Sequence, residues 1–333
     1  MKKIFALLLC FLSVLPLIAC SGGGALEDSD FVDETPAVQK YQNRFIACDQ
    51  KNSRVVVYDL DRLTPGDDLE KGVVWTREVS SATAGVKYRE GTVFGNVVLT
   101  AGSKVQMFSY PAGDLLWECS NPGSNPHSVE ILPSGNIVVA SSDGAQVRLF
   151  YTSAFLSGGS EKDSKKYTEV TLYSAHGVLW DPEYDVLWAL GGSELAAYAV
   201  VGEGTSQRLV KDEDLSYTLP YGGGHDLAAD LSDTRYLYAT VQDRVIRYDK
   251  EEKKGTYLFP NSEHLSRSTV KGFGNNLNGN FIYCYPDGKC AREWQTKSIT
   301  YCYLNKDGEM VKKTYTSSKA AFYKVRILYG KYQ

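Results

Sequence analysis

Histidine and methionine are scarce in this chain, at four and three residues in 333, and none of its seven cysteines forms the Cys-x-x-Cys knuckle of a metal site. No long basic run is present, and 36 lysines and arginines against 40 acids leave a formal charge of −4. That balance offers no footing for binding nucleic acid through its phosphates. A phosphate-binding loop, a dinucleotide fingerprint and a Ser-His-Asp elbow are all missing, so the commonest nucleotide-dependent and serine-hydrolase chemistries have no motif to rest on. Beyond residue 19 no apolar run approaches the length of a membrane span. What fills the chain instead is a succession of short Val/Ile/Tyr/Phe-rich runs broken by Gly, Asn, Asp and Ser clusters, the pattern of strands and turns.

The first residues read differently. Lys2 and Lys3 precede an apolar stretch from Ile4 to Ala19, followed by Cys20, which describes a secretory signal over 1–19. The sequence Leu17-Ile18-Ala19-Cys20 resembles the lipobox of bacterial lipoproteins. That resemblance implies acyl chains of the palmitate type on Cys20, a membrane anchorage without a spanning helix, and, through Ser21, the outer membrane of the cell envelope. Removing 1–19 takes away two lysines and no acid, changing the charge from −4 to −6. Residues 20–40 carry three glycines and five acids (Glu27, Asp28, Asp30, Asp33, Glu34) and read as a solvated tether that reaches on the order of 60–70 Å when extended. Five cysteines then remain for an oxidising compartment. Cys284 and Cys290 flank the turn sequence YPDGK and are expected to pair, with Cys302 the alternative partner.

From residue 41 to 333 one pair of strands recurs. Its starts at Phe45, Val97, Ile137, Val186, Tyr236 and Phe281 lie 52, 40, 49, 50 and 45 residues apart. Four strands per period in the forties is the signature of a β-propeller blade, and six units are present. The first unit lacks an inner strand, and the chain end supplies a spare one, AFYKVRILYG, at 321–330. The expected fold is therefore an all-β, six-bladed propeller closed by the C-terminal strand joining the first blade. A pair of β-sandwiches would explain neither the single period nor the surplus strand.

Three of the four histidines, His127, His176 and His225, are spaced 49 residues apart. Each stands at the start of an inner strand, and the corresponding positions elsewhere are Lys87, Lys271 and Lys324. Inner strands line the channel of a propeller, so these six side chains are expected at one mouth, where crowding favours neutral imidazoles. Three readings follow. The ring could simply solvate the channel. The histidines could hold a divalent metal, Zn or Mn, with a coordination position left open. Or the lysines could pair an anionic ligand while His127, His176 or His225 serves as catalytic acid or base. Asp226, beside His225, suits a metal ligand, an orienting partner or a turn residue, the last being commonest. Tyr88 and Tyr323 adjoin ring positions, His264 lies in a loop on the same face, and GGGH at 222–225 fits a turn before a strand. Trp75, Trp117, Trp188 and Trp294 are expected to pack blades.

The lipobox, the acidic tether and blades reading NPHSVEILPSGNIVVASS and AHGVLWDPEYDVLWALGG resemble propeller lipoproteins of unknown function from gut Bacteroidetes. A looser similarity links the chain to the propeller lyases, oligogalacturonate lyase and virginiamycin B lyase, whose channel-mouth histidines act on substrate or hold a metal. Those lyases have seven blades. The resemblance names no activity; the reading taken here is a cell-envelope propeller that binds, or binds and cleaves, an anionic glycan or its fragments through His127, His176, His225 and the three lysines. A non-catalytic scaffold for a protein or glycan partner is the alternative.

Overall fold

The computed structural model describes residues 43–152, 166–242, 244–258 and 270–332. The signal 1–19, the tether 20–40 with Cys20, and His264 lie outside the described residues. Among the described residues, no helix is long and apolar enough to cross a membrane.

The described strands form six four-stranded antiparallel sheets. Five follow chain order: β4 (Gly85–Thr92) through β5 (Gly95–Ala101) to β7 (Leu115–Cys119), β8 (Pro126–Ile131) to β11 (Tyr167–Thr171), β12 (Gly177–Asp181) to β15 (Arg208–Thr218), β16 (Asp226–Ala229) to β19 (Lys254–Tyr257), and β20 (Gly272–Asn275) through β22 (Ser298–Leu304) to β23 (Met310–Thr316). The sixth runs β24 (Phe322–Ile327), β1 (Arg44–Asp49), β2 (Arg54–Asp59), β3 (Val73–Glu78), with β24 from the chain end set against β1. Phe45 pairs with Ile327 and Ala47 with Val325, so the first blade takes its inner strand from the C-terminus as the repeat predicts. Each inner strand touches the next, from β24 through β4, β8, β12, β16 and β20 back to β24. The ring is closed, and it leaves no inner edge for another strand to extend.

Position in the blade accounts for the sequence pattern. A second strand such as β9 (Ile137–Ser141, IVVAS) is buried at every residue, because each of its faces packs on a neighbouring blade, and it reads as a continuous apolar run. The outermost strand β11 (YTEVT) alternates between exposed and half-buried residues, as one wet face requires. Apolar clusters fill the gaps between adjacent blades. Val97, Trp117, Val139 and Phe150 join the second and third blades, and Trp188, Leu195, Leu237 and Tyr248 join the fourth and fifth. Trp117 and Trp188 thus pack blades as expected.

The inner strands approach closely at glycine. A Cβ on Gly85 would stand 2.5 Å from the His127 carbonyl oxygen, one on Gly177 would stand 2.6 Å from the Leu227 Cβ, and one on Gly272 would stand 2.5 Å from the Val325 nitrogen. These are distances a side chain cannot occupy, so the channel stays narrow. Residues next to those glycines are thereby brought within reach of one another.

The expected disulfide does not form. Cys284 and Cys290 are both free thiols, as are Cys48, Cys119 and Cys302. Cys284 ends β21 (Phe281–Cys284) buried, with its thiol donating to the Tyr323 carbonyl at 3.3 Å. Cys290 instead sits half-buried in the long 285–297 connection, which is not the tight hairpin that YPDGK suggested. Cys302 pairs across the sheet with Phe281, not Cys284.

Candidate functional site at the channel mouth

Inner strands start at one face of the ring, and the turns between second and third strands return to that face. His127, His176 and His225 meet there as a row. The His127 and His176 rings lie 4.2 Å apart between centroids, and those of His176 and His225 lie 5.3 Å apart. The 49-residue spacing is therefore architectural: it carries each imidazole to the same place on successive blades. Local bonds fix the rings. His176 Nδ1 donates to the Ser174 carbonyl at 2.7 Å and His225 Nδ1 to the Gly224 carbonyl at 3.2 Å, so in the neutral form Nε2 is the free acceptor. His127 Nδ1 is 3.3 Å from the Tyr323 hydroxyl.

All three imidazoles are held neutral. Burial is the main cause, and neighbouring lysines add to it. His176 is pushed down to about 4 and His225 to about 3. His127, whose neighbours also include His176, falls well below the ordinary imidazole range. The metal reading of these histidines is not supported by their geometry. Adjacent rings are tilted at 32° and 45° to one another, and among the described residues no group of three or more His, Cys, Asp or Glu could hold a metal ion.

The lysines divide by depth, a correction to the expectation that all six residues share the mouth. Lys271 does reach it. Its side chain lines a cleft of about 810 Å³ together with His127, Tyr323, Gln50, Asp143, Arg292 and Trp294. Lys324 sits one layer below, where its ammonium donates to the His127 carbonyl at 3.1 Å and the His176 carbonyl at 3.3 Å and pairs with Asp226 at 3.1 Å. Lys87 lies deeper still, paired with Glu130 at 2.9 Å and donating to the Val178 carbonyl. The cause is the β4–β5 hairpin, which carries a register shift between Arg89 and Thr92. Ala84, donating to the Ala101 carbonyl, is the residue in the register of His176, which donates to that of Leu190. Counting back ten residues from Val97 therefore stops three residues short, at Lys87.

Two carboxylates lie deep in the channel: Glu130, which the sequence did not single out, and Asp226, which it offered as a metal ligand, an orienting partner or, most commonly, a turn residue. Asp226 is no turn residue. It opens β16, is 1% exposed, receives the Phe273 N–H and Arg326, and pairs with Lys324. Burial alone would raise its carboxyl, but Arg326 and Lys324 hold it below the usual range. Glu130, fully buried, accepts from Arg89 at 2.6 Å and from Lys87, and these cations likewise overcome the effect of burial. The arginines had a legible signal. Lys87-Tyr88-Arg89 and Lys324-Val325-Arg326 repeat a Lys-x-Arg pattern, and alternate residues of a strand share a face. No local pattern identifies the acids, because their partners lie 41 to 100 residues away.

Five cations (Lys87, Arg89, Lys271, Lys324, Arg326) thus line the channel against two carboxylates. Each buried acid is outnumbered two to one, and Lys271 adds a further cation at the mouth. Lys271 is 9% exposed; its backbone N–H donates to the Cys284 carbonyl, while its ammonium is in no ion pair with a described residue and stands 5.9 Å from the Tyr323 ring centre. Burial, then Lys324, lowers its ammonium to about 8. Around the mouth Tyr173, Tyr221 and Trp294 are 78%, 46% and 42% exposed on loops of the same face. Trp294 thereby departs from the expected packing role: it is a rim residue, with Arg292 over its ring at 5.4 Å and its indole N–H bonded to Gln50 at 3.1 Å.

Fold and site together define a closed six-bladed propeller with a concave, cation-rich channel mouth. The chain belongs to the family of unknown function DUF6528, whose model matches residues 2–280. No curated protein matches it. Among solved structures it is similar to a protein of unknown function from Bacteroides caccae, at 13% identity and a TM-score of 0.56, over 85% of this chain and 97% of that one. It is also similar to a functionally unknown protein from Desulfotomaculum acetoxidans at 12% and 0.55, covering 87% and 86%. A third, a "putative 6-phosphogluconolactonase" from Bacteroides fragilis, gives 16% and 0.52, covering 85% and 83%. At such identities the likeness is one of fold.

Proposed function

We propose that this protein is a lipid-anchored propeller of the cell envelope that binds an anionic glycan, or a fragment of one, at the channel mouth. One observation carries the reading: a buried ammonium, Lys271, faces a cleft of about 810 Å³ and is in no ion pair with a described residue, while Asp143, the carboxylate among the cleft's lining residues, accepts from Asn125 and Ser142 instead. Leaving a charge buried and unpaired is costly, and an incoming carboxylate or sulfate would offset that cost. The imidazole row supports the reading, since neutral rings accept or donate hydrogen bonds without adding to the positive charge. Exposed Tyr173, Tyr221 and Trp294 add flat apolar faces with polar edges, which suit a sugar ring better than a bare inorganic anion. Anchorage rests on the lipobox-like LIAC at residues 17–20; acyl labelling that persists in Cys20→Ala would remove it.

A second reading, cleavage next to the carboxylate, is favoured by one feature. His176 and His225 are locked by their Nδ1 bonds with Nε2 unprotonated, free to accept a proton, though at about 4 and about 3 they are weak bases that a bound carboxylate would have to strengthen. New ultraviolet absorbance from an unsaturated product on mixing with uronate oligosaccharides would report it.

Binding is tested by calorimetric titration with a uronate oligosaccharide and with its uncharged methyl ester. The acid should bind and the ester should bind at least about tenfold more weakly. Lys271→Met should bring the two together. Equal binding of acid and ester by the native protein would overturn the proposal.

A further inference from the structure

The cleft does not end at Lys271. A second groove of about 380 Å³ is lined by Lys51, Lys289, Arg292 and Lys297 with Gln50, Gln295 and Cys290, and it includes no carboxylate. Gln50 and Arg292 line both spaces, so the two lie side by side. The dividing wall is held in place: Gln50 donates to the Thr83 carbonyl at 3.0 Å and accepts from Trp294 at 3.1 Å and Gln295 at 3.0 Å. None of the four cations is in an ion pair with a described residue. The acids of the same connection do not line the groove, and Asp287 is turned to the Lys289 backbone N–H at 3.0 Å.

Four like charges in one groove repel one another, and an acidic chain that leaves them together without counter-charges carries a local field opposite to its net charge. A monosaccharide seated at Lys271 would leave that field unused. A linear polyanion would use both. The long β21–β22 connection, residues 285–297, supplies Lys289, Arg292 and Lys297, while the β1–β2 turn supplies Lys51.

Building on the anionic-glycan reading above, we infer that the site takes an oligomeric, multiply charged glycan. One acidic residue is seated against Lys271 at the channel mouth, and further acidic residues run over Gln50 into the Lys51/Lys289/Arg292/Lys297 groove. The groove acts as an additional subsite that discriminates by chain length, while the mouth discriminates by charge.

The test is a titration of the full-length protein with uronate oligosaccharides of one to six residues, with a sulfated series in parallel to separate carboxylate from sulfate. Affinity should rise by about tenfold or more between the monomer and the longest oligomer, more steeply at low salt. The triple variant Lys51→Gln/Lys289→Gln/Lys297→Gln alters only exposed or half-exposed, unpaired side chains, so it should keep the native melting temperature. It should bind the monomer as the native protein does and lose the length dependence, whereas Lys271→Met should weaken every length. Monomer and hexamer binding equally well would overturn the subsite and leave the mouth reading standing. Failure of every member of both series to bind would overturn both. Tighter binding of an oligonucleotide or polyphosphate of equal charge would overturn the assignment to a glycan.

Discussion

Raising the pH should weaken the complex in a way that isolates one side chain. Uronate carboxylates stay ionised above neutrality, so a loss of affinity there must come from the protein. Lys271, its ammonium lowered to about 8 by burial and by Lys324, is the group at the cleft that titrates in this window. At pH 7 about nine in ten of these ammoniums are charged, and at pH 9 about one in ten. A carboxylate that requires the charged form should therefore bind about tenfold more weakly at pH 9 than at pH 7, a difference of about 1.4 kcal/mol. Lys87 also titrates at about 8, but its ammonium is bonded to Glu130 and the Val178 carbonyl, away from the cleft. Lys271→Arg keeps its charge throughout and should bind with a flat profile from pH 7 to 9.5. Calorimetry across that range is the assay. A flat profile for the native protein, or an equal loss in the arginine variant, would refute the reasoning.

Further predictions follow from the same geometry. Asp226→Asn removes the charge that compensates buried Lys324 and Arg326, and should cost about 3–5 kcal/mol, lowering the melting temperature by an amount on the order of 10 °C. An unchanged thermal melt would show that those cations find other partners. The imidazoles set an acid limit: His176 and His225 titrate in the fold at about 4 and about 3, whereas an unfolded chain takes up these protons near pH 6.5. Because the unfolded state binds more protons in that window, stability should fall as pH drops below about 6.5, by about 2 kcal/mol per imidazole at pH 5. Urea melts at pH 7 and pH 5 measure this, and His176→Gln/His225→Gln should show a shallower loss. Thiol reagents should modify Cys290 first, because Cys48, Cys119, Cys284 and Cys302 are buried and Cys290 is not; mass spectrometry of the native protein reads the order.

The repeat was legible because each blade buries the same strand in the same way. IVVAS and VLWAL are apolar at most positions for the reason that both of their faces are covered, and the missing first strand could be matched to the surplus last one by counting. The row His127, His176 and His225 was legible for the same reason: equal spacing on a ring means equal position in space. Depth was not legible. Lys87 has the right neighbours in sequence but sits three residues further along its strand, because the irregular β4–β5 hairpin adds length that no composition signal marks. The roles of Asp226 and Glu130 were hidden because they depend on Arg326, Lys324 and Arg89, which only the closed ring brings to them. The basic groove was hidden because Lys51 and Lys297 are 246 residues apart and meet only where the first and last blades close.

The central claim, that the channel mouth seats an acidic sugar, is tested most directly by a crystal structure of the protein with a uronate trisaccharide. The account predicts a carboxylate within hydrogen-bonding distance of the Lys271 ammonium, with the rest of the chain lying toward Gln50 and Arg292. An ordered trisaccharide in the separate pocket lined by Lys87, Arg89, Arg326 and Lys331, with the Lys271 cleft holding only solvent, would contradict it.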